Sequence, residues 1–230
     1  MAKQVAIKTA SMEQNFFNRV FGWMAFALLI TGGTSLYVIT SASAKALIFG
    51  NPLVLIGLVV LELAAVFSLV AAINKMSLQT ATWVFIGYSV LNGITLSGLA
   101  LVYTGASIAS AFFITAATFV FMAVYGATTK SDLTQLGQLA MAGLVGIIIA
   151  SIVNIFLRNS GMELIISYIG VVVFIGLTAY DTQKLKVMLH DINGDEVTYQ
   201  KFAIVGALTL YLDFVNLFIM ILRIVGNRRD

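Results

Sequence analysis

The stretch FAIVGALTLYLDFVNLFIMILRIV, residues 202–225, decides the fold class of this chain. It is long and apolar enough to cross the hydrocarbon core of a bilayer, which takes about 20 residues of helix. One carboxylate, Asp213, stands near its middle. Because a charged group in lipid costs from roughly 3 to more than 10 kcal/mol, such a group is retained where it faces a partner or water. Asp213 is therefore the first candidate functional residue.

The composition of the whole chain also indicates that most of the protein lies in lipid. Hydrophobic residues make up 60% of the sequence and charged residues 10%, and the mean hydropathy is +1.00. These values are typical of an integral membrane protein whose main partner is the lipid bilayer. With no cysteine and with His190 as the one histidine, the sequence excludes disulfides, thiolate chemistry and multi-histidine metal sites, and we expect no cofactor. The 13 Lys and Arg residues stand mostly between apolar stretches, so we expect no nucleic acid partner.

Six further apolar stretches precede the last one. The seven run over residues 21–40, 52–73, 82–103, 106–127, 139–157, 164–180 and 202–225. Such lengths exceed those of barrel strands, and a backbone in lipid must satisfy its own hydrogen bonds, so each stretch is predicted to be a helix. The first is also longer than the apolar region of a cleaved signal peptide, which has about 7 to 15 residues. The sequence thus predicts an all-α membrane protein, a seven-transmembrane-helix bundle.

The polar segments predict domain organisation and orientation. We expect a polar cytoplasmic arm over residues 1–19, a single seven-helix domain over 20–226 and a short basic tail over 227–230. Positive residues favour the cytoplasmic side, and those before the seventh stretch lie mostly on the side of the N-terminus. They are Lys3, Lys8, Arg19, Lys75, Lys130, Lys184, Lys186 and Lys201, against Lys45 and Arg158 on the other side. A cytoplasmic N-terminus places the last three arginines outside, so a re-entrant last segment stays open as an alternative, although we favour seven crossings.

A second carboxylate, Asp181, lies in GLTAYDTQ, residues 176–183, at the margin of the sixth stretch. Lys184 and Lys186 mark the membrane boundary within about two turns, so one alternative for Asp181 is an interfacial acid. Another is a local ion pair with Lys184. Asp213 has no comparable explanation, because it lies about a dozen residues beyond the nearest preceding lysine. Two acids on successive helices suggest a pair, as a hypothesis.

Further polar residues inside the stretches are candidates for an ion path. They are Glu62, Asn92, Asn154 and Asn216. Glu62 lies near mid-bilayer, where the alternative to a role in conduction is a neutral acid that donates one interhelical hydrogen bond. Asn216 follows Asp213 by three residues, so the two share a helix face. The same face continues through Thr209 and Gly206.

Two other helix faces carry regular patterns. The third stretch places Tyr88, Asn92 and Thr95 on one face. On the fifth stretch, small residues and an amide recur every four residues, at Ala142, Gly146, Ala150 and Asn154. Such a ridge permits close approach of another helix, and helix packing is the interpretation that we favour for it.

Several runs resemble the transmembrane Bax inhibitor motif family, and a bacterial member of it in particular. They are FGWMAFALLITGG at 21–33, LELAAVF at 61–67, INKMS at 73–77, TAYDTQ at 178–183 and ALTLYLDFVNLFIMILRI at 207–224. The resemblance covers nearly the whole chain. It implies seven helices with the last helix central, a pH-sensitive calcium leak, and a proton-sensing di-aspartyl latch formed by Asp181 and Asp213.

One departure from the family pattern concerns the second helix. In the family, its cytoplasmic end can carry an arginine that pairs with the two aspartates. Here residues 69–75 read LVAAINK, so that arginine is missing and Lys75 is a candidate substitute in a shifted position. A missing cation would change the strength of the latch, because a nearby positive charge stabilises an ionised carboxylate.

The function that we expect is a pH-sensitive calcium (cation) leak channel. Two carboxyls in contact cannot both ionise cheaply, so they share a proton, and its loss or gain changes the attraction between the sixth and seventh helices. Carboxylates suit Ca²⁺, but six to eight oxygens are usual, so Asp181 and Asp213 offer weak binding rather than a tight site. The bacterial cytoplasmic (inner) membrane is the simplest location for a chain with such short loops.

Two alternatives stay open. Intramembrane aspartyl proteases also use two membrane aspartates, and Tyr180-Asp181 matches half of their signature. The other half is missing, because LYL stands before Asp213 in place of Gly-x-Gly and the one proline is Pro52, so we expect no enzyme activity. The other alternative is a regulator that acts by interaction with membrane proteins, for example a quality-control protease, through the polar arm at residues 1–18.

Overall fold

The computed structural model describes residues 2–191 and 196–229, and it describes the side-chain surroundings of residues 11–189 and 196–229. These residues form α-helices and one 3-10 helix, with no β-strand among them. The α-helices are α1 (Ala2–Thr40), α2 (Ala42–Phe49), α3 (Pro52–Ala72), α4 (Leu78–Leu96), α5 (Leu99–Val102), α6 (Gly105–Thr128), α7 (Thr134–Leu157), α8 (Ser160–Asp191) and α9 (Glu196–Val225). The 3-10 helix, Ile73–Lys75, follows α3. The all-α prediction is confirmed.

Seven helical segments of the described chain are long and apolar enough to cross a membrane. They are Ser11–Thr40, Pro52–Lys75, Leu78–Val102, Gly105–Thr128, Thr134–Leu157, Ser160–Leu189 and Glu196–Val225. Each overlaps one predicted apolar stretch, so the prediction of seven transmembrane helices is confirmed. The last span is the most buried, with 67% of its apolar window inside the protein. A central position of this helix stays a prediction.

Polar residues in the short connections determine where the spans begin. Asn51 precedes Pro52 at the start of α3, and its side chain accepts a hydrogen bond from the Leu53 amide at 2.9 Å. The Ser77 hydroxyl accepts a hydrogen bond from the Thr80 amide at 3.0 Å at the start of α4. Amides of the first helical turn have no partner within the helix, and these caps supply one.

The polar arm predicted over residues 1–19 is continuous with the first span, because α1 runs without a break from Ala2 to Thr40. Two side chains near its end contact the start of α9. The Phe16 ring is buried and packs edge-to-face on Tyr199 with 5.4 Å between the ring centroids. Arg19 Nη1 lies 2.8 Å from Glu196 Oε1. The predicted division into an arm, a single domain and a tail stays a prediction.

The described chain packs into two compact units. The first comprises residues 2–102, 188–191 and 196–211, and the second comprises 103–187 and 212–229. In the first unit α1 packs along α4, where the Phe85 ring contacts Trp23 and Tyr211 edge-to-face with 6.4 Å between centroids in each pair. Such pairs contribute about 0.5 to 1.5 kcal/mol beyond the burial of their surface.

In the second unit, the C-terminal tail shows where α9 ends. The Thr104 amide donates to the Asn227 carbonyl at 3.1 Å, and the Asn227 amide donates to the Ser107 hydroxyl at 2.9 Å. Arg228 Nη2 donates to Glu163 Oε2 at 3.1 Å. The end of α9 therefore lies where α6 and α8 begin. Because α9 is one helix of 30 residues, about 45 Å long at 1.5 Å per residue, it is long enough for a full crossing, which favours seven crossings over a re-entrant last segment.

Candidate functional site

The carboxyl groups of Asp181 on α8 and Asp213 on α9 are in hydrogen-bonding contact in the second unit. Both residues are buried, with 8% and 5% of their surface exposed. Ionised carboxylates only accept hydrogen bonds, so a hydrogen bond between two of them needs a proton on one. The structure thus brings together the two acids that the sequence places on successive helices.

One oxygen of Asp213 is out of reach of ordinary donors. Its Oδ2 is the one buried side-chain oxygen or nitrogen in the described part of the chain that no N–H or hydroxyl group bonds. A buried polar atom left unpaired costs roughly 1 to 3 kcal/mol, and more when it is charged. Folded proteins contain few such atoms, and each one calls for an explanation beyond packing.

Two glycines, one on α6 and one on α7, allow close contact with the two residues of α8 that directly precede Asp181. Gly126 of α6 lies against the backbone carbonyl of Ala179, and Gly137 of α7 lies against the ring of Tyr180. Both contacts are so close that a methyl group in place of the glycine hydrogen would collide. Because interiors are close-packed, these contacts hold the backbone that carries Asp181 on two sides.

The small-residue ridge predicted on the fifth span makes no such contact. Ala142 and Gly146 are exposed, and a methyl group added to Gly146 would meet open space. α7 approaches α8 through Gly137 and Gly143 instead, and Gly143 lies against the side chain of Val173. The prediction was wrong because spacing alone does not distinguish the helix face that meets protein from the one that meets lipid.

Gln183 is a residue of the site that sequence reasoning missed. Its Oε1 accepts from the Leu133 amide and its Nε2 donates to the Ser131 carbonyl, both at 2.8 Å. One turn further along α8, Lys186 Nζ donates to the Ala127 carbonyl at 3.2 Å. These bonds attach the end of α6 and the loop between α6 and α7 to the part of α8 that follows Asp181. The available signal was the position of Gln183 within the run TAYDTQ.

Two lysines are candidate cationic partners of these acids, Lys184 for Asp181 and Lys75 for the pair. Lys184 acts electrostatically on Asp181 from the next turn of α8, and its Nζ lies 5.8 Å from the centroid of the Tyr180 ring. The Lys184 side chain is exposed. Lys75 ends the 3-10 helix in the first unit, and its side chain is also exposed. A role for Lys75 in the latch stays a prediction.

Glu62 and Asn92, both predicted path residues, lie together in a second polar cluster within the first unit. The Thr95 hydroxyl donates to Glu62 Oε1 at 2.5 Å, and the Asn92 side chain lies near the same carboxyl. Asn92 Nδ2 lies 3.5 Å from the Tyr88 hydroxyl. The predicted common face of Tyr88, Asn92 and Thr95 is confirmed, because all three side chains meet in this cluster.

The other two predicted path residues bond locally. Asn154 Oδ1 accepts from the Asn159 amide at 3.1 Å, just past the end of α7, where Arg158 adopts a left-handed backbone with φ 51°. Asn216 Nδ2 donates to the Leu212 carbonyl of its own helix at 2.8 Å. Neither bond leads to the two aspartates. The role of both residues in an ion path stays a prediction.

Tyr211 is the second residue that sequence reasoning missed. It is fully buried in the first unit, and its hydroxyl lies 2.6 Å from Thr31 Oγ1 and 3.0 Å from Asn92 Oδ1. Its ring packs edge-to-face on Tyr88 with 5.7 Å between centroids. A hydroxyl in the middle of the last apolar stretch was the signal for it, since a buried phenol needs a hydrogen-bond partner.

Among the side chains that the structure describes, no three Asp, Glu, His or Cys residues lie close enough to hold a metal ion together. The contact between Asp181 and Asp213 supplies at most four carboxyl oxygens. A Ca²⁺ ion usually takes six to eight oxygen ligands, so water would have to complete its shell at this pair.

Seven spanning helices and a buried carboxyl pair define a polytopic integral membrane protein, which sits in the lipid bilayer. Residues 13–230 match the family model described as "Inhibitor of apoptosis-promoting Bax1", and the chain belongs to this Bax inhibitor-like family. The resemblance found in the sequence is therefore confirmed.

Similar proteins occur in several bacteria. The "Inner membrane protein YbhL" of Escherichia coli (strain K12) is 49% identical over 217 residues, which cover 94% of this chain and 93% of that protein. An uncharacterized protein of Rickettsia prowazekii is 44% identical over 218 residues, 94% of this chain and 91% of that protein. One of Borreliella burgdorferi is 43% identical over 219 residues, 95% of this chain and 94% of that protein.

Proposed function

We propose that the protein is a pH-sensitive leak channel for Ca²⁺ and similar cations in a bacterial cytoplasmic (inner) membrane, with its N-terminus in the cytoplasm. Proton sharing between Asp181 and Asp213 gates the leak. The observation that carries the proposal is the buried contact between the two carboxyls, which needs a proton to exist. The similarity to an Escherichia coli inner membrane protein supports the location.

The gate follows from the electrostatics of the contact. Loss of the shared proton leaves two negative charges side by side, and charges about 4 Å apart repel by roughly 4 kcal/mol at an effective dielectric constant of about 20. A repulsion of this size reverses the balance between two helix packings that differ by a few kcal/mol. Because tight contacts at Gly126 and Gly137 hold α8, we expect the Asp213 side of the pair to move.

The cation path is proposed at the Glu62 carboxyl, with Asn92 beside it. Carboxylate and amide oxygens are the hard ligands that Ca²⁺ prefers, and so few of them leave most of the ion hydrated. Asn154 and Asn216 are weaker candidates for the path, because both side chains bond near their own helices. A weakly held, hydrated ion is what a leak requires, since tight binding would slow its release.

The two alternatives receive less support. Near the end of the polar arm, Phe16 and Arg19 contact α9 of the same chain, so these side chains are already engaged and poorly placed to bind another protein. For the protease, Leu210 and Leu212 occupy the two positions before Asp213 where intramembrane aspartyl proteases carry the glycines of their motif.

The direct test is Ca²⁺ flux into liposomes that contain the purified protein, measured across a series of pH values. The wild type should pass Ca²⁺ at a rate that changes with pH. Asp213→Asn keeps a hydrogen-bonding group toward Asp181 but has no proton to lose in this range, so its flux should no longer depend on pH. Asp132→Asn, at an exposed acid between two spans, is the matched control and should keep the wild-type profile. Unchanged flux and pH dependence in Asp213→Asn would rule out the gate.

A further inference from the structure

The hydroxyl of Tyr211 is the centre of a buried chain of polar contacts in the first unit. It contacts Thr31 Oγ1 of α1 at 2.6 Å and Asn92 Oδ1 of α4 at 3.0 Å. Thr31 Oγ1 in turn lies 3.0 Å from the backbone carbonyl oxygen of Ser89. All of these residues are buried, so their polar atoms depend on one another for hydrogen bonds.

A count of hydrogens shows that these polar contacts cannot all be hydrogen bonds with the Asn92 amide in this orientation. Three contacts need three hydrogens: Thr31 with Ser89, Thr31 with Tyr211, and Tyr211 with Asn92. Each hydroxyl carries one hydrogen, and an amide oxygen carries none. With Asn92 Oδ1 facing Tyr211, the three contacts therefore share two hydrogens.

The amide of Asn92 can supply the third hydrogen by turning over. Its Nδ2 then donates to Tyr211, Tyr211 donates to Thr31, and Thr31 donates to the Ser89 carbonyl, so every contact has its hydrogen. The same turn exchanges what Asn92 presents to its other neighbours, Glu62 and Tyr88. Before the turn Tyr88 faces the Nδ2 donor, and afterwards it faces the Oδ1 acceptor. The group that Asn92 can offer to Glu62 changes in the same way.

The two orientations suit two different states of Glu62. A bare Glu62 carboxylate accepts a hydrogen bond and favours Nδ2. A Glu62 that carries a proton or holds a cation favours Oδ1, which accepts a hydrogen or serves as an oxygen ligand. The Tyr211 hydroxyl serves both orientations, because it can donate to Oδ1 or accept from Nδ2 while exchanging its role with Thr31.

We propose that Tyr211 is a positioning residue of the cation path, whose hydroxyl allows the Asn92 amide to turn with the occupancy of Glu62. This rests on the proposed function, because it assigns a partner to the proposed path residues. The titratable groups facing the cluster are Glu62 of α3 and Tyr88 of α4. Neither Asp181 nor Asp213 belongs to it, since both lie in the second unit.

The test reads the Glu62 carboxyl directly, by infrared difference spectra of the protein in lipid vesicles with and without Ca²⁺. The Glu62 band is the one that disappears in Glu62→Gln. Tyr211→Phe removes the hydroxyl and retains the ring, and it should shift the Glu62 band and its response to Ca²⁺. A Glu62 band and Ca²⁺ response identical to those of the wild type would overturn the proposal. If Tyr211→Phe does not fold, Thr31→Val replaces it and the same two results decide.

Flux measurements separate this inference from the proposed function. Tyr211→Phe should lower Ca²⁺ flux about fivefold, the effect of one net hydrogen bond, and leave its pH dependence in place. In the Glu62→Gln background, Tyr211→Phe should have no further effect, and additive losses would contradict a role through Glu62. If the wild type passes no Ca²⁺, the proposed function fails, and the infrared result still decides whether Tyr211 positions Asn92 toward Glu62.

Discussion

Tyr180, the residue of α8 directly before Asp181, places its ring against the backbone of Gly137 of α7. The residue before it, Ala179, places its carbonyl against Gly126 of α6. These two contacts connect the packing of three spans to the placement of one carboxyl. A change at either glycine therefore tests whether helix packing sets the geometry of the acid pair.

Gly137→Ala should destabilise the protein, because the added methyl group collides with the Tyr180 ring. Overpacking of this kind costs about 1 to 3 kcal/mol. The matched control is Gly146→Ala on the same helix, where the methyl group meets open space. The control should be neutral or more stable by up to about 1 kcal/mol, since alanine favours helix over glycine. Thermal unfolding in one detergent measures both, and equal stability of the two variants would contradict the close contact.

Gln183→Leu should loosen the loop between α6 and α7. The substitution removes both bonds to the loop and leaves the Leu133 amide without its acceptor. Loss of about 1 kcal/mol of local stability corresponds to roughly fivefold faster hydrogen exchange at that amide. Gln135→Leu, at an exposed position of α7, is the control and should leave the exchange rate unchanged. The same protection in both variants would show that Gln183 does not hold the loop.

Asp132 provides a pH effect that is independent of the gate. Hydrogen bonds to its Oδ1 from the hydroxyl of Thr134 at 2.6 Å and the amide of Thr134 at 2.9 Å hold the pKa of Asp132 below its ordinary value. A carboxyl whose pKa is lowered on folding stabilises the fold above its unfolded pKa, and the contribution is lost as pH falls through the folded pKa.

Asp132→Asn should therefore be less stable than the wild type at neutral pH, and the difference should shrink at acid pH. Unfolding midpoints measured across a pH series test this. A difference that stays constant down to strongly acid pH would mean that the hydrogen bonds from Thr134 do not favour the ionised form.

Glu163 pairs with one arginine at the end of α9 and with one in the C-terminal tail. Its carboxyl lies 3.1 Å from Arg228 Nη2 and 3.8 Å from Arg223 Nε, and all three side chains are partly exposed. Glu163→Gln should weaken the attachment of the tail by no more than about 1 kcal/mol, because exposed ion pairs contribute little. Hydrogen exchange at Thr104, whose amide donates to Asn227, reports the loss. Unchanged protection at Thr104 would show that the backbone bonds hold the tail without Glu163.

The sequence predicted the spans well because long apolar runs have one stable form in lipid, a helix that satisfies its own backbone. The extension of α1 beyond the first apolar stretch was not predicted. Contacts such as that of Phe16 with Tyr199 join distant parts of the chain, and hydrophobic periodicity does not show them. The prediction that the ridge at Gly146 packs against another helix was wrong for a related reason. Periodicity finds a face of a helix, and only the packed neighbours show what that face meets.

The sequence also identified Asp181 and Asp213, since a carboxylate in an apolar stretch is costly wherever it lies. The sequence alone could not predict their contact, because the long segment between them leaves the register of α8 against α9 undetermined. Gln183 and Tyr211 were missed for a different reason. Amides and hydroxyls cost less to bury than charges, so they stand out only when their partners are known.

The measurement that tests the gate most directly is the distance between the carboxyls of Asp181 and Asp213 at two pH values, from structures of the protein in lipid nanodiscs. We predict contact at the lower pH, where a shared proton is present, and separation at the higher pH, where two anions would repel. An unchanged contact at both pH values, or a wide gap at both, would contradict a proton-operated latch.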